Sequence, residues 1–264
     1  MLGNTWERIE RPLSKPLDQL SAIAHELPEV SSELLERRAL LRRTDSKFLV
    51  PVTELAEIVD GLGEDYGALK AGEAVLATYR TRYFDTPELR CFHDHRRGVR
   101  PRHKVRIRHY PDRQLSFLEV KTKRSSALTH KYRYQKPYQT GELGTDDREF
   151  VRAHANLDVD RLQPQAWTNF RRLSLVGLEA NERVTIDVEL ELEADGQTTD
   201  LDELAVIEVK QAPFCVRTPV MQRLREHGLR PVSNSKYVTA IALGRPEVRT
   251  SRLAPNLRIL EQLR

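Results

Sequence analysis

The chain has 264 residues, of which 39% are hydrophobic and 31% are charged, a composition typical of a folded protein and not of a disordered tail. No stretch approaches the roughly 20 apolar residues that a membrane-spanning helix needs, and the N-terminal segment lacks the apolar core of a signal peptide, so we expect a cytoplasmic location. Two cysteines, Cys91 and Cys215, are too few for a disulfide framework or a cysteine zinc site.

Hydrophobic spacing predicts both helices and strands. Helical spacing occurs at residues 15–40, 53–62, 147–155 and 218–227. Period-two alternation occurs at residues 41–50, 76–86, 102–110, 115–123, 128–136, 166–176, 182–193, 204–211 and 235–243. This order predicts an α+β fold, in which a mostly antiparallel eight-stranded β-barrel or strongly curved sheet carries helices on its outside. We expect a single domain overall, made of an N-terminal helical segment (1–40), the barrel (41–245) and a C-terminal tail (246–264).

The polar side of these strands carries long charged side chains at every second position. The sets that share a face are Arg43, Asp45 and Lys47; Lys104, Arg106 and Arg108; Glu119 and Lys121; Arg183, Asp187, Glu189 and Glu191; and Glu208 and Lys210. Each set alone is typical of a solvated strand face. Together they predict charged faces that converge on one side of the sheet, which in a closed barrel is the lumen. Confined cations repel unless acids and a polyanion offset them, so we predict an anion-binding tunnel.

Eight motifs, in order across residues 41–243, resemble those of one family. They are RRTDSKF, YFDTPELRCF, KVRIRHY, FLEVKTK, NFRRLSL, ERVTIDVELEL, AVIEVK and NSKYVTAI. In this order they resemble the VTC-type polyphosphate polymerase domain, a branch of the triphosphate tunnel metalloenzyme (CYTH-like) superfamily. The resemblance implies a triphosphate tunnel, a phosphotransferase activity and a divalent cofactor, Mn²⁺ or Mg²⁺.

The resemblance also implies roles for single residues. The implied catalytic residues are Arg106, Arg108, Lys121 and Glu208. The implied phosphate-binding residues are Lys47, Lys104, Arg171 or Arg172, Arg183, Lys210 and Lys236. Glu208 would hold the metal, with Glu189 and Glu191 as possible helpers. These residue types suit the chemistry, because arginine offers bidentate forks to phosphate oxygens, lysine offers movable point charges, and hard cations take carboxylate and phosphate oxygens.

The first strand departs from part of this superfamily. Its hydrolytic and cyclase branches typically open with Glu-x-Glu-x-Lys, whereas Arg43 stands at the first acidic position here and Asp45 at the second. Fewer carboxylates argue against a second metal and against hydrolysis by an activated water. The departure therefore favours the polymerase branch.

Other chemistry-bearing residues have simpler interpretations. His93, Asp94, His95 and His103 suggest a metal cluster, but the adjacent Arg-Arg-Gly favours an exposed polar turn. Tyr132 and Tyr134, beside Lys131 and Arg133, suggest base stacking, but alternation favours core positions. We interpret Tyr83, Phe84, Asp85 and Trp167 as structural, with the aspartate accepting a backbone or arginine hydrogen bond.

The sequence leaves several functions open. The first is a metal-dependent polymerase that transfers the terminal phosphate of ATP, or of another nucleoside triphosphate, onto inorganic polyphosphate. One alternative is a module that binds polyphosphate or a nucleotide without turnover, and another is a tripolyphosphate hydrolase. Nucleic-acid binding would need exposed basic faces with aromatics, and we do not expect it because acids and bases alternate on the charged strands.

Overall fold

The computed structural model describes residues 12–38, 43–125, 129–250 and 253–262. In these ranges ten strands form one antiparallel sheet: β1 (Thr44–Pro51), β2 (Tyr66–Ala68), β3 (Ala77–Asp85), β4 (Arg102–Tyr110), β5 (Leu115–Lys123), β6 (Thr129–Lys136), β7 (Gln163–Gly177), β8 (Glu182–Ala194), β9 (Gln197–Leu201) and β10 (Leu204–Gln211). The main strands pair in the order β1-β10-β8-β7-β3-β4-β5-β6, while β2 pairs with β7 and β9 with β8. The prediction of an α+β fold with an antiparallel sheet is confirmed.

The helices lie between and after these strands. They are α1 (Lys15–Glu26), α2 (Ser32–Arg37), α3 (Leu55–Val59), α4 (Arg90–Arg97), α5 (Thr145–His154), α6 (Pro219–Glu226), α7 (Lys236–Gly244) and α8 (Ala254–Gln262). Helix α8 lies in the predicted tail, where its Leu260 is buried. Within the described ranges, no helix is both long and apolar enough to span a membrane.

The predicted strand at 235–243 is wrong, because these residues form α7. Ser235 begins the helix as its N-cap, and its side-chain oxygen accepts a hydrogen bond from the backbone N–H of Val238. Nearly every later residue of the helix is buried, including Tyr237, Ala240 and Ile241. A helix that is buried on all sides has no polar stripe, so its apolar pattern does not separate it from a strand.

Closure of the sheet into a barrel is not shown by strand pairing. Strands β1 and β6 are the two ends of the main path, and no ladder joins them among the residues that the structure describes. The segment between α6 and α7 contacts β1, at one end of the path, and β4, in its other half. The Val232 N–H donates to the Lys47 carbonyl oxygen (2.7 Å), and Lys104 Nζ donates to Ser235 Oγ (2.7 Å). A closed barrel therefore stays a prediction.

A bulge in β8 divides that strand into two halves with opposite orientations. Before it, Val184, Ile186 and Val188 pack in one apolar cluster with α1, α3 and α6. After it, Leu190 and Leu192 pack in a second cluster with α7. The change of face occurs at Glu189, which has a positive φ of 49°, beside a register shift in β7 between Asn169 and Arg171. The prediction that Glu189 and Glu191 share a face with Asp187 is therefore wrong.

Candidate functional site

Most of the predicted tunnel residues lie on one side of the sheet, which we call the charged face. Strand pairing gives five directly opposed pairs of these residues: Lys47 with Glu208, Lys210 with Arg183, Asp187 with Arg172, Arg106 with Glu119, and Lys104 with Lys121. Directly opposed residues of antiparallel strands project from the same face. We define the charged face as these ten residues together with Arg108 and Lys131, and Lys236 reaches it from the first turn of α7.

Glu208 is the most accessible acid among the three ion-pair centres of this face. Its carboxylate contacts Lys47 Nζ at 2.5 Å and Lys210 Nζ at 2.9 Å, and its side chain is 18% exposed. Burial alone would raise the pKa of this carboxyl. The charges of the two lysines have the larger, opposite effect and hold the pKa well below its ordinary range. Glu208 is therefore ionised and held by single-point contacts with two flexible side chains.

Asp187 is held more tightly. Arg172 donates to both carboxylate oxygens, from Nε at 2.5 Å and Nη2 at 2.8 Å, and Lys236 Nζ donates to one of them. The aspartate is only 2% exposed. Burial raises its pKa, but Arg172 and Lys236 together lower it to about 2. Lys236 Nζ also lies 4.5 Å from the centre of the Phe170 ring, so the start of α7 is fixed to the sheet.

Glu119 forms the third centre and involves a cation that the sequence analysis did not assign to the site. Arg106 donates to Glu119 from Nε (2.7 Å) and Nη2 (2.6 Å), and Lys131 Nζ lies 2.5 Å away. Burial lowers the pKa of Lys131 to about 8, although Glu119 opposes this shift. The alternation of THKYRYQK carried the signal for Lys131, because its alternate positions face the same side as Glu119. In the sequence analysis Lys131 was named only as a neighbour of Tyr132 and Tyr134 and was not assigned to the tunnel.

Several cations of the charged face have no acidic partner. In the described part of the chain, Lys121 and Arg183 make no ion pair or side-chain hydrogen bond, and Lys104 donates only to the Ser235 hydroxyl. Burial lowers the pKa of Lys104, and the charges of Lys121, Lys47 and Arg106 lower it further. Lys121 is exposed to solvent, yet partial loss of hydration still lowers its pKa. These like charges repel one another, and an anion placed between them would offset the repulsion.

Arg108 is buried and makes no ion pair with an acid among the residues that the structure describes. Its Nε donates to Thr81 Oγ1 at 3.1 Å, and its guanidinium lies 5.4 Å from the centre of the Tyr79 ring. The Arg172 guanidinium lies over the same ring at 4.8 Å. Tyr79 therefore supports two arginines side by side, with the donors of Arg108 only partly used.

Three predicted site residues lie on the other side of the sheet. Arg171 Nε contacts Glu189 Oε2 at 3.0 Å, and Asn169 Nδ2 donates to Glu191 Oε1 at 2.7 Å. Together with Leu17 of α1 these residues line a separate cavity of about 280 Å³. The structure therefore brings neither Glu189 nor Glu191 to Glu208, and it places Arg172, not Arg171, on the charged face.

The carboxylates of the charged face suit a metal ion that binds together with its substrate better than one that is bound permanently. Among the described residues there is no group of three or more His, Cys, Asp or Glu arranged to hold a metal. Mg²⁺ and Mn²⁺ commonly use only one or two protein carboxylates, together with water and substrate phosphates. Glu208 fits that role. Asp45 lies close enough to oppose, as Glu208 does, the lowering of the pKa of Lys121 and Lys210 by burial.

The remaining residues singled out in the sequence have structural partners. Asp85 accepts the backbone N–H groups of Thr86, Cys91 and Phe92 and the hydroxyl of Tyr237, as expected. The turn predicted around His93–His95 is instead helix α4.

The aromatic residues of β6 and β7 also pack against side chains. Tyr134 packs edge-to-face with Phe150 beside the core, which confirms its structural interpretation. Trp167 stacks on His109, and the Arg82 guanidinium lies 5.3 Å from its ring. His103, which the sequence placed with the other histidines, bonds to Thr122 Oγ1 at 2.9 Å.

Fold and site together define an α+β protein whose antiparallel sheet has one strongly basic, ion-paired face. Residues 42–244 match the model of the VTC domain, so this chain belongs to the VTC domain family. The resemblance seen in the ordered motifs is thereby confirmed. A comparison with curated proteins finds no match.

Two solved structures illustrate the more distant similarities. A "putative adenylate cyclase" from Bacillus halodurans is 14% identical, with a TM-score of 0.47 over 73% of this chain and 93% of that one. The "putative adenylyl cyclase HpAC1" from Hippeastrum, described as having a dominant triphosphatase activity, is 15% identical, with a TM-score of 0.47 over 76% of this chain and 96% of that one. Similarity at this level carries no conclusion about the chemistry of this chain.

Proposed function

We propose that this chain is a metal-dependent polyphosphate polymerase, which transfers the terminal phosphate of ATP or another nucleoside triphosphate onto an inorganic polyphosphate chain at the charged face. One observation carries the proposal: Lys104, Lys121 and Arg183 share that face and have no acidic partner in the described residues. A phosphate chain supplies the negative charge that these cations lack. We also propose a cytoplasmic location, where nucleoside triphosphates are available.

Positioning and electrostatic stabilisation account for most of the catalysis of phosphoryl transfer. Arg106 and Arg108 lie two residues apart on one strand, and Arg108 retains donors for phosphate oxygens because its only described hydrogen bond goes to Thr81. Lys121 lies opposite Lys104 and beside Arg106, where its ammonium group is able to follow a transferring phosphoryl group. The three side chains would stabilise the charge that spreads over the equatorial oxygens.

Glu208 is the residue that would hold the divalent metal. When bound, the metal would supply charge neutralisation to the triphosphate. Lys47 and Lys210 contact Glu208 through single amino groups on flexible side chains, so each is able to exchange the carboxylate for a phosphate oxygen. This exchange would keep the lysine charges compensated before and after substrate binds.

A turnover assay tests the proposal directly. Purified protein would be incubated with ATP, a short polyphosphate and Mn²⁺ or Mg²⁺, and polyphosphate, ADP and free phosphate would be resolved. We expect chain growth with ADP release, lost in Glu208→Gln and retained in Glu191→Gln, which removes a matched carboxylate from the other side of the sheet. Equal loss in both variants would contradict the assigned role of Glu208.

A second candidate is a module that binds polyphosphate or a nucleotide without turnover. The observation that favours it is that both oxygens of Glu208 already contact lysines, so the metal position would have to be opened by substrate. In that case the same assay would show no turnover, while tripolyphosphate would bind tightly and Arg106→Ala would weaken it. Release of free phosphate without chain growth would instead identify a tripolyphosphate hydrolase.

A further inference from the structure

Helix α4 brings an imidazole to one end of the charged face. His95 follows Cys91 by four residues and Phe92 by three, and both of those residues are fully buried. Residues at these spacings share one face of a helix, so His95 projects toward the sheet and not toward solvent. The helix packs against β3, β4 and α7, and its neighbour α7 begins at Ser235, the residue that binds Lys104.

The groups that face His95 across this packing are cationic. They are Lys104 and Arg102 on β4 and Lys121 and Lys123 on β5. The nearby acids are engaged elsewhere. Asp94 on the same helix contacts Arg97 at 3.2 Å, and Asp85 at the end of β3 accepts the backbone N–H groups of the first turn of α4.

The imidazole itself is incompletely satisfied. Its Nδ1 is buried and has no hydrogen-bond partner in the part of the chain that the structure describes. Burial, followed by the charges of Lys104 and Arg102, lowers the pKa of His95 to about 2, so the ring is neutral near pH 7. A buried nitrogen without a partner is rare in folded proteins and calls for an explanation.

A bound phosphate chain would offset the cationic part of this shift, while the burial of the ring would remain. Its negative charge would lie beside Lys104, the cation that lowers the pKa of His95 most, and beside Lys121, which lowers it less. By linkage, an anion that raises the pKa of a group is itself bound more tightly by the protonated form, and by the same factor.

We propose that His95 is a proton-coupled member of the phosphate site, which takes up a proton from solvent when a phosphate chain occupies the neighbouring cations. The protonated ring adds positive charge to that end of the face and gains donors on both nitrogens. This proposal rests on the proposed function in one respect, that the charged face binds phosphate chains.

Nuclear magnetic resonance of protein labelled with ¹⁵N at histidine tests it directly, with His95→Asn used to assign the His95 signal among the eight histidines. Without ligand we expect the His95 ring to stay neutral between pH 8 and pH 5.5. With saturating inorganic tripolyphosphate and no metal, we expect it to titrate within that range. A ring that stays neutral in both conditions would overturn the proposal, and a ring that already titrates without ligand would do so as well.

Affinity measurements give an independent readout. The ratio of tripolyphosphate affinities, wild type over His95→Asn, should rise by up to about tenfold between pH 8 and pH 6, because affinity rises tenfold for each pH unit below the pKa of the ring in the bound state. His93→Asn on the same helix is the matched control and should leave this ratio flat. Tight binding with a flat ratio for His95→Asn would overturn the role of His95 and leave the proposed function intact. No binding of tripolyphosphate at any pH would overturn both.

Discussion

Glu208 and Asp187 both bridge two cations on the charged face, but they are built for different purposes. Asp187 is 2% exposed and accepts a two-pronged contact from Arg172, together with Lys236 from another element. Glu208 is 18% exposed and is held by two lysines from the strands β1 and β10. A guanidinium fork fixes geometry, whereas an ammonium group moves with its flexible stem.

The difference assigns a structural role to one carboxylate and an exchangeable role to the other. Asp187 connects β7, β8 and the start of α7, so losing it removes a connection between three elements. Glu208 is reached by solvent and lies beside cations that have no acidic partner in the described ranges. Four measurements test whether the carboxylates of this face differ in this way.

The largest expected effect is on stability, from Asp187→Asn. The change leaves Arg172 and Lys236 as uncompensated buried charges, and breaking such a pair by removing one partner costs about 3–5 kcal/mol. Chemical denaturation would measure the free energy of unfolding. Glu189→Gln is the control, since its pair with Arg171 is more accessible and should be worth less than about 1 kcal/mol. Similar losses in the two variants would contradict the structural role of Asp187.

Glu208→Gln is expected to act on function. Turnover should fall by roughly 10²–10³-fold, the usual cost of removing one charge-stabilising group at a reacting centre. Tripolyphosphate binding without metal should tighten by up to roughly tenfold, because Lys47 and Lys210 lose their competing acid. Calorimetry and the turnover assay would measure the two effects. Weaker metal-free binding in this variant would count against the exchange of lysines between carboxylate and phosphate.

The pH dependence of stability provides a third test. The pKa of Asp187 is about 2 in the folded chain against an ordinary value of 3.8, so its contribution is fully present above about pH 4 and is lost as pH falls toward 2. A shift of this size corresponds to about 2 kcal/mol. The difference in unfolding free energy between wild type and Asp187→Asn should therefore shrink between pH 5 and pH 2.5. A difference that stays constant would show that the aspartate is not ionised through these contacts.

The smallest effect is expected from Lys131, the exposed partner of Glu119. Glu119 holds Arg106 through two nitrogens and Lys131 through one, and the pKa of Lys131 is lowered to about 8. As pH rises above this value Lys131 loses its charge, so tripolyphosphate affinity should fall by less than about tenfold. Lys131→Gln should be weaker than wild type at pH 7 and equal to it above the pKa. A difference that persists at pH 10 would contradict this assignment.

The sequence was most informative where a strand has one apolar and one charged side. The bounds predicted for 102–110, 115–123 and 204–211 agree with β4, β5 and β10, and the charged residues of these strands lie on one face. It was uninformative where burial is complete, as in α7, because no polar stripe remains to report the period.

The bulge was the other feature that alternation did not reveal. Val184 to Leu192 read as one uninterrupted strand, and the pattern stays regular on both sides of Glu189 because each half buries its own apolar residues. The orientation of each half depends on which helices cover it, and that is decided by tertiary packing. Lys131 was missed for a simpler reason, since its strand carries aromatic residues that drew the interpretation toward the core.

The bulge at Glu189 also has a consequence for how this face can change. Losing the bulge while every residue is kept, as in a one-residue slip of the second half of β8, would turn Glu189 and Glu191 toward Asp187 and Leu190 and Leu192 away from α7. Deleting Glu189 would instead leave Leu190 and Leu192 on the side of α7, because the deletion removes the extra residue that the bulge accommodates. The bulge therefore keeps two carboxylates away from the cations of the charged face, and the two leucines that pack with α7 hold it in place.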